Sequence, residues 1–352
     1  MIDNKMKDYD ILLNEVLGKI KHKELKNISI LFTGATGFLG IWVLRCLNFI
    51  SKKNNCKILI TILTRNKKNI YLHKREFQFL RLKFIIDDVS KVKIKKEKFD
   101  VIFHFAASSS KKENFNKHGV VDTIINGTLN IIKIAENLKV KNIIFLSSGA
   151  VYGKHCNKNT GWKEDDNQSP DILDPNATYG LAKKCAENLL INWGKRYKTN
   201  LLIIRSFSFG VISEKSESHF AFDNFIKKRI ENKNIIMNST GNSKRNFMHP
   251  IDLCNWIFRS LPLSGINVIN SGSKECISIK NLAKKIANFR ITGLEPVKVH
   301  KGKDTIKENY FPNLEKSHNL GYSEKINLNE QIKNSINLAL RHNKKYGKSN
   351  SV

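Results

Sequence analysis

Apolar and polar positions along this chain alternate between two registers, and the register switches repeatedly. Short runs that are apolar almost throughout recur at 28–32, 57–64, 83–86, 101–107, 142–147 and 201–205. Such runs are strands buried on both faces, which predicts a parallel sheet with helices covering each side. Helical spacing fills the intervals: Leu129, Ile132, Ile134, Ala135 and Leu138 mark one helix, and the run Ile41 to Leu47 marks another. Strand-then-helix alternation of this kind predicts an α/β fold with a doubly wound parallel sheet. Ahead of the first strand, Tyr9 to Leu17 reads as an amphipathic helix that packs on the body. Beyond about residue 210 the alternation weakens, and Phe222 to Lys228 and Ile277 to Ala283 read as helices of a smaller, less regular C-terminal part. The expected division is an N-terminal extension over 1–27, the sheet domain over 28–210, and a mainly substrate-binding part over 211–345. No Pro/Gly/Ser-rich linker separates the last two, so they are expected to pack together.

The first strand runs into Thr33-Gly34-Ala35-Thr36-Gly37-Phe38-Leu39-Gly40 and then into a helix. Strand, glycine turn, helix is the Rossmann arrangement for holding a pyrophosphate at a helix N-terminus. Gly34 permits the tight turn, Gly37 lets backbone N–H groups approach phosphate, and Gly40 lets helix and sheet pack closely. Thr36, Phe38 and Leu39 share the run and its expected dinucleotide contact. The second strand ends Thr64-Arg65-Asn66-Lys67-Lys68, without the carboxylate that bonds an adenosine ribose hydroxyl. Arg65 is either a partner for a 2′-phosphate or an ordinary surface arginine; the first reading makes NADP the expected cofactor and NAD the alternative. Asp88 and Val89 at the end of the third strand are placed to meet adenine, with a turn or helix-cap role open for Asp88. The small Ala106 and Ala107 after the fourth strand let the cofactor pass close to the backbone.

Tyr179 and Lys183 stand four apart at the start of a helical segment, on one face. A neighbouring ammonium favours phenolate over phenol, whose pKa starts near ~10, so this tyrosine is a candidate proton donor to a carbonyl oxygen during hydride transfer. Ser148 ends the fifth strand, at the sheet edge where open α/β sheets bind ligands, and is either a partner for the same oxygen or a polar strand-end cap.

The 352 residues carry a formal charge of +30, but Lys and Asn are spread over nearly every segment and the basic tracts are short. Solvated surface explains this better than nucleic-acid binding, and no nucleic-acid partner is expected; the field would still draw in an anionic nucleotide. Cys46, Cys56, Cys156, Cys185, Cys254 and Cys276 form no metal-ligand spacing, so no metal is expected and a reduced cytoplasmic setting fits. No apolar stretch has the length of a membrane span and no signal-peptide core is present, so no membrane contact is expected.

With TGATGFLG at 33–40, Asp88-Val89, His104-Phe105-Ala106-Ala107, the run Ser147 to Gly153, Tyr179-x-x-x-Lys183 and the run Arg245 to Leu253, the chain resembles the extended short-chain dehydrogenase/reductases, the nucleotide-sugar epimerase/dehydratase family. The resemblance spans roughly 28–340. It implies a triad of Ser148, Tyr179 and Lys183, with Lys183 also on the nicotinamide ribose and Arg245 on the diphosphate of a nucleotide-diphosphate sugar. It also implies a homodimer and a place in surface-polysaccharide sugar supply. The family's 4,6-dehydratases carry Asp-Glu after the catalytic Ser/Thr; here Gly149 and Ala150 stand there, and neither moves a proton. An Asn usual in the family is Ile124 here, with Asn126 beside Gly127-Thr128, and the sixth strand continues Arg205-Ser206-Phe207-Ser208-Phe209-Gly210 where Asn and Gly-Pro are commoner. The leading expectation is an NADPH-dependent reductase of a nucleotide-linked keto-deoxysugar, a 4-keto-6-deoxy sugar. An NAD-dependent nucleotide-sugar epimerase is the alternative, and a non-catalytic dinucleotide-binding regulator the third reading, weakened by the presence of Tyr179 and Lys183.

Overall fold

The computed structural model describes residues 3–20, 23–66, 76–107, 117–153, 160–212, 220–303 and 308–346. Lys67, Lys68 and Cys156 lie outside the described residues. The chain runs through α1 (Asp3–Leu17), β1 (Ser29–Thr33), α2 (Phe38–Asn54), β2 (Leu59–Thr64), β3 (Arg81–Ile86) and β4 (Val101–His104). A short helix α3 (Lys117–Val121) passes through a π-helical turn (Asp122–Asn126) into α4 (Gly127–Asn137). There follow β5 (Asn142–Ser148), α5 (Thr178–Tyr197), β6 (Asn200–Ser206), β7 (Ser208–Phe209), α6 (Ala221–Ile230), β8 (Ile235–Ile236) and β9 (Lys244–Met248). Then come α7 (Pro250–Arg259), β10 (Ile266–Ser271), β11 (Cys276–Ser278), α8 (Ile279–Ala287), β12 (Val299–His300), α9 (Glu315–Asn319) and α10 (Leu328–Tyr346).

Seven strands form one sheet in the order β10-β6-β5-β4-β1-β2-β3, and every pair in it is parallel. The order reverses between β1 and β4, the switch point at which doubly wound sheets bind ligands. Period-2 geometry sorts the apolar strand residues between two cores. Ile30, Phe32, Val101, Phe103, Ile144, Leu202 and Ile204 face α2, α7 and the buried side of α1. Leu31, Ile102, Ile143, Phe145, Leu201 and Ile203 face the opposite layer, with Ile131 of α4 and Ala182, Ala186 and Leu190 of α5. The N-terminal helix packs on the body as its pattern predicts, through Leu12, Leu13, Val16 and Leu17.

The C-terminal part has its own core, built from Phe222 and Ile226 of α6, Phe247 of β9, Leu282 and Ile286 of α8 and Ile332 and Ile336 of α10. It carries a three-stranded sheet, β11-β9-β7, and the pair β12-β8. The region around Ile277 to Ala283 is not one helix: β11 ends at Ser278, whose hydroxyl accepts from Asn281 N–H and starts α8. Strand β10 and helix α7 follow residue 210 in the chain yet complete the sheet and layers of the first part. Asn267, Asn270 and Ser271 interrupt the apolar run of β10, which hides it from hydropathy.

Candidate active site

The glycine run crosses the carboxyl ends of β1 and β4. Gly34 has φ +78°, and a Cβ there would lie 2.5 Å from the Phe105 carbonyl carbon and 2.6 Å from Ala106 N. Only glycine fits such a turn pressed on backbone. A Cβ on Gly40 would meet Gly34 O at 2.4 Å and Ala35 backbone at 2.6 Å, so the close approach it permits is that of α2 to the glycine turn rather than to the sheet at large. Gly37 caps α2, and a Cβ there would meet only Gly34 O, at 3.2 Å, with otherwise open space. The N-terminal amides of α2, from Phe38, Leu39 and Gly40, therefore sit beside an open glycine surface, with no acidic residue in the first turn. Thr36, Phe38 and Leu39 are half-buried, and Phe38 lies edge-on to Phe209 with ring centroids 6.2 Å apart. This cradle fits a dinucleotide pyrophosphate: unpaired helix amides, favourable dipole, no anion in the way.

Behind the loop runs a buried hydrogen-bond chain through His104. Burial pushes the His104 pKa down to about 3, with the Lys183 charge adding to the shift, so the ring is neutral and carries one proton. Thr128 Oγ1 donates to Ile124 O at 2.6 Å, so it accepts from His104 Nε2 at 3.1 Å. Nδ1 then accepts from Thr33 Oγ1 at 2.8 Å, which in turn accepts from Ala106 N–H at 3.2 Å. Donor counting thus fixes the tautomer and ties β1, β4 and the π-helical turn together at the ligand edge.

At the adenosine end, Arg65 is exposed just past β2. Burial works to raise the Asp88 pKa, but hydrogen bonds from Ser90 N–H and Oγ and the Arg65 and Lys91 charges hold it below its usual value. Asp88 is thus both a turn-forming aspartate and an anion facing Arg65. Val89 is buried, and a Cβ on Gly127 would reach it at 2.9 Å, so α4 packs directly on this corner. Asn130 Nδ2 adds bonds to Val89 O and Val92 O, both 2.9 Å. Ala106 and Ala107 follow β4 beside Gly34, half-buried.

Ser148, Tyr179 and Lys183 come together where β5 ends and α5 begins. Ser148 Oγ accepts from Ala150 N–H at 3.1 Å, so it caps the following turn, with the Tyr179 hydroxyl near enough for Ser148 to pull on its pKa. Gly180 allows α5 this close: a Cβ there would meet Ala150 O at 2.4 Å. Lys183 is 1% exposed; its Nζ donates to Leu146 O at 2.7 Å and stands 4.5 Å from the Phe145 ring centroid. Burial draws its pKa down to about 7, against the opposing pull of Glu187. The expected depression of the Tyr179 pKa by Lys183 is not what the structure gives: burial first, then Tyr310, push it up to about 12, while Ser148 pulls weakly the other way. Desolvation decides the Tyr179 state; the Lys183 amine donates to Leu146 O and does not offset it. Tyr179 is held as a neutral phenol.

A buried polar cluster backs the lysine. Glu187, one helical turn on, accepts from Ser147 Oγ and from Arg205, whose Nη2 lies 2.7 Å from Oε2. Arg205 Nη1 also donates to Tyr152 Oη at 2.8 Å, and Tyr152 donates to Asn270 Oδ1 at 2.8 Å. Gly149 faces Phe207: a Cβ would lie 2.5 Å from its ring. Arg245 donates from Nη1 to Lys244 O at 2.9 Å and to Glu308 O, with its guanidinium 5.6 Å from the Tyr310 ring centroid. Burial pushes the Tyr310 pKa up, while nearby Ser148, Arg245 and the Ala150 N–H pull it down, so this phenol lies between Arg245 and the end of β5. Sequence reading missed Tyr310 and Phe207 as site residues, because one sits in irregular chain and the other reads as core.

A profile of the NAD dependent epimerase/dehydratase family matches residues 30–268. The chain belongs to that family. It is an enzyme of the extended short-chain dehydrogenase/reductase type, with the sheet order and glycine loop that type requires. It is 27% identical over 275 residues to the dTDP-D-glucose 4,6-dehydratase of Dictyostelium discoideum, covering 75% of this chain but only 62% of that longer protein. It is 26% identical over 322 residues to a putative UDP-glucose 4-epimerase of Methanocaldococcus jannaschii, covering 90% of this chain and 99% of the relative. The fold is shared with the UDP-glucuronic acid 4-epimerase of Bacillus cereus, a structure in complex with NAD, at TM-score 0.68 and 22% identity over 90% or nearly so of each chain, 89% of this one and 99% of that one. Among the described residues no helix is long and apolar enough to cross a membrane, and no group of three His, Cys, Asp or Glu side chains is placed to hold a metal.

Proposed function

We propose that this enzyme reduces a keto group on a nucleotide-diphosphate sugar, a 4-keto-6-deoxy sugar, with NADPH. The observation that carries the reading is the make-up of the reaction centre: the groups meeting at the end of β5 are hydroxyls, those of Ser148, Tyr179 and Tyr310. Phe207 fills the space a side chain at Gly149 would need, so the acid of a 4,6-elimination has no room. A centre of protonated hydroxyls gives a proton to oxygen; it is not built to pull one from carbon. A bound nicotinamide supplies the hydride that forms the new C–H bond. Tyr179 gives its phenolic proton to the former carbonyl oxygen as the C=O double bond becomes a carbinol C–O single bond. Ser148 holds that oxygen, and Lys183, close to neutral titration, favours return of the tyrosine to its protonated form. Arg245, with three of its five N–H groups not committed to Lys244 or Glu308, is the candidate grip on the diphosphate. Arg65 at the end of β2 favours NADP over NAD.

A second reading, a nucleotide-sugar 4-epimerase with NAD, is favoured by the near full-length match to the archaeal putative UDP-glucose 4-epimerase. One experiment separates the two. Purified protein is given NADPH and a panel of nucleotide-linked 4-keto-6-deoxy sugars, and separately UDP-hexoses without added reductant, with absorbance and proton NMR as readouts. NADPH consumed one for one with loss of the keto sugar supports the reductase. C4 interconversion of a UDP-hexose without added reductant overturns it in favour of the epimerase.

A further inference from the structure

Arg205 stands on β6 directly beside Ser147 of β5, and the next pair in the register is Ser148 with Ser206. Its side chain is 12% exposed, and its guanidinium binds in two directions at once. On one edge Nε lies 3.1 Å from each carboxylate oxygen of Glu187, and Nη2 lies 2.7 Å from Oε2. On the other, Nη1 donates to Tyr152 Oη at 2.8 Å and to Glu164 O at 2.9 Å. A planar fork can serve both edges, which a compact ammonium cannot.

Both partners act on the neighbours of Ser148. Glu187, as a carboxylate, only accepts, so the Ser147 hydroxyl donates to it. That bond, with Lys183 Nζ on Leu146 O at 2.7 Å, ties the end of β5 to the helix that carries Tyr179. Tyr152 closes the short 3₁₀ turn Gly149–Tyr152, whose cap is Ser148 Oγ accepting from Ala150 N–H at 3.1 Å. Having accepted from Arg205, Tyr152 donates to Asn270 Oδ1 at 2.8 Å, and Asn270 is itself fixed by Glu164, Trp162 and Ser317. One guanidinium thus holds Ser148 both from the residue before it and from the turn after it. Resting on the reductase reading for the reaction served, we propose that Arg205 is a positioning residue: through Glu187 and Tyr152 it fixes Ser148 at the end of β5 and keeps the Ser148 hydroxyl in place for the substrate oxygen.

Two single-hydroxyl deletions release one side each and leave Arg205 paired with Glu187: Ser147→Ala before Ser148 and Tyr152→Phe after it. In each, kcat is expected to fall about tenfold or more, with KM and dinucleotide affinity near wild type, the signature of a misplaced group rather than of lost binding. Ser147→Thr, which keeps the hydroxyl, is expected to recover most of that loss. A second readout needs no substrate: the Ala150 amide in protein labelled with nitrogen-15 alanine, whose bond to Ser148 Oγ is lost outright in Ser148→Ala. Its resonance is expected to move toward the S148A position in S147A and in Y152F, and to stay near wild type in S147T. A resonance that does not move that way in one or both deletions overturns the proposal. So does a kcat within twofold of wild type in either, which would leave Arg205 a purely structural residue. If wild-type protein turns over no nucleotide sugar, the reductase reading fails while the amide still decides the role of Arg205. The deletions are independent, so where one does not fold the other gives the decision.

Discussion

Lys183 is held in an unfavourable setting for a charge: an amine with 1% exposure, against an aromatic face, served by one carbonyl and a glutamate one turn away. Burial lowers its pKa from 10.5 to about 7, so between those values the unfolded chain binds the proton and the folded chain does not. Unfolding therefore takes up a proton in that window, and the Lys183 contribution to stability rises with pH through it and is at its most unfavourable below about 7. Lys183→Met removes the titration and keeps the volume. Urea unfolding should show the variant gaining on wild type most at pH 6 and least near pH 10; a gap that ignores pH would contradict this reading of Lys183. The two residues of the pair were legible from their spacing in the sequence, but the state of Tyr179 was not. Spacing places an ammonium near a phenol, whereas the neutral phenol follows from burial and from Tyr310, a residue 131 positions on, between numbers 179 and 310.

The glycine loop works as an element, and its three glycines answer to different constraints. Alanine at Gly34 meets both the positive φ and a backbone 2.5 Å away, and strain at such positions is of order 1–3 kcal/mol before any clash. Alanine at Gly37 meets little protein, since only Gly34 O lies near, at 3.2 Å. Gly34→Ala is expected to lower the melting temperature sharply, while Gly37→Ala keeps a near wild-type melt and loses dinucleotide affinity about tenfold or more, because its methyl enters the phosphate cradle. Equal losses of stability in the two would contradict that division of labour. Strands β1, β2, β4, β5 and β6 were readable as buried elements because polar residues hardly interrupt their apolar runs. Strand β3, expected to be buried on both faces, is instead the sheet edge and half exposed, with Ile86 54% accessible. Strand β10 was not readable, since Asn270 faces a polar cluster, donating to Trp162 O at 2.8 Å and accepting from Tyr152.

Across the whole molecule, the proposed reaction centre is a junction of two cores. The sheet domain supplies the phosphate cradle, Ser148 and the helix carrying Tyr179 and Lys183, while the C-terminal part delivers Arg245 on β9 and Tyr310 beside it. The first set follows strand and helix periodicity and could be read in order along the chain. The second reaches the site through long-range pairing that one-dimensional pattern does not encode, as at the Arg245–Tyr310 bridge. Both sets meet near Tyr179, the proposed proton donor. The most direct test of that convergence is single-turnover reduction by Tyr179→Phe, measured beside its dinucleotide affinity. The expected result is unchanged binding with hydride transfer slowed about 100- to 10,000-fold, the usual worth of a positioned general acid. Turnover within a few-fold of wild type would show that the proton comes from elsewhere and that the hydroxyl cluster at the end of β5 is not the reaction centre.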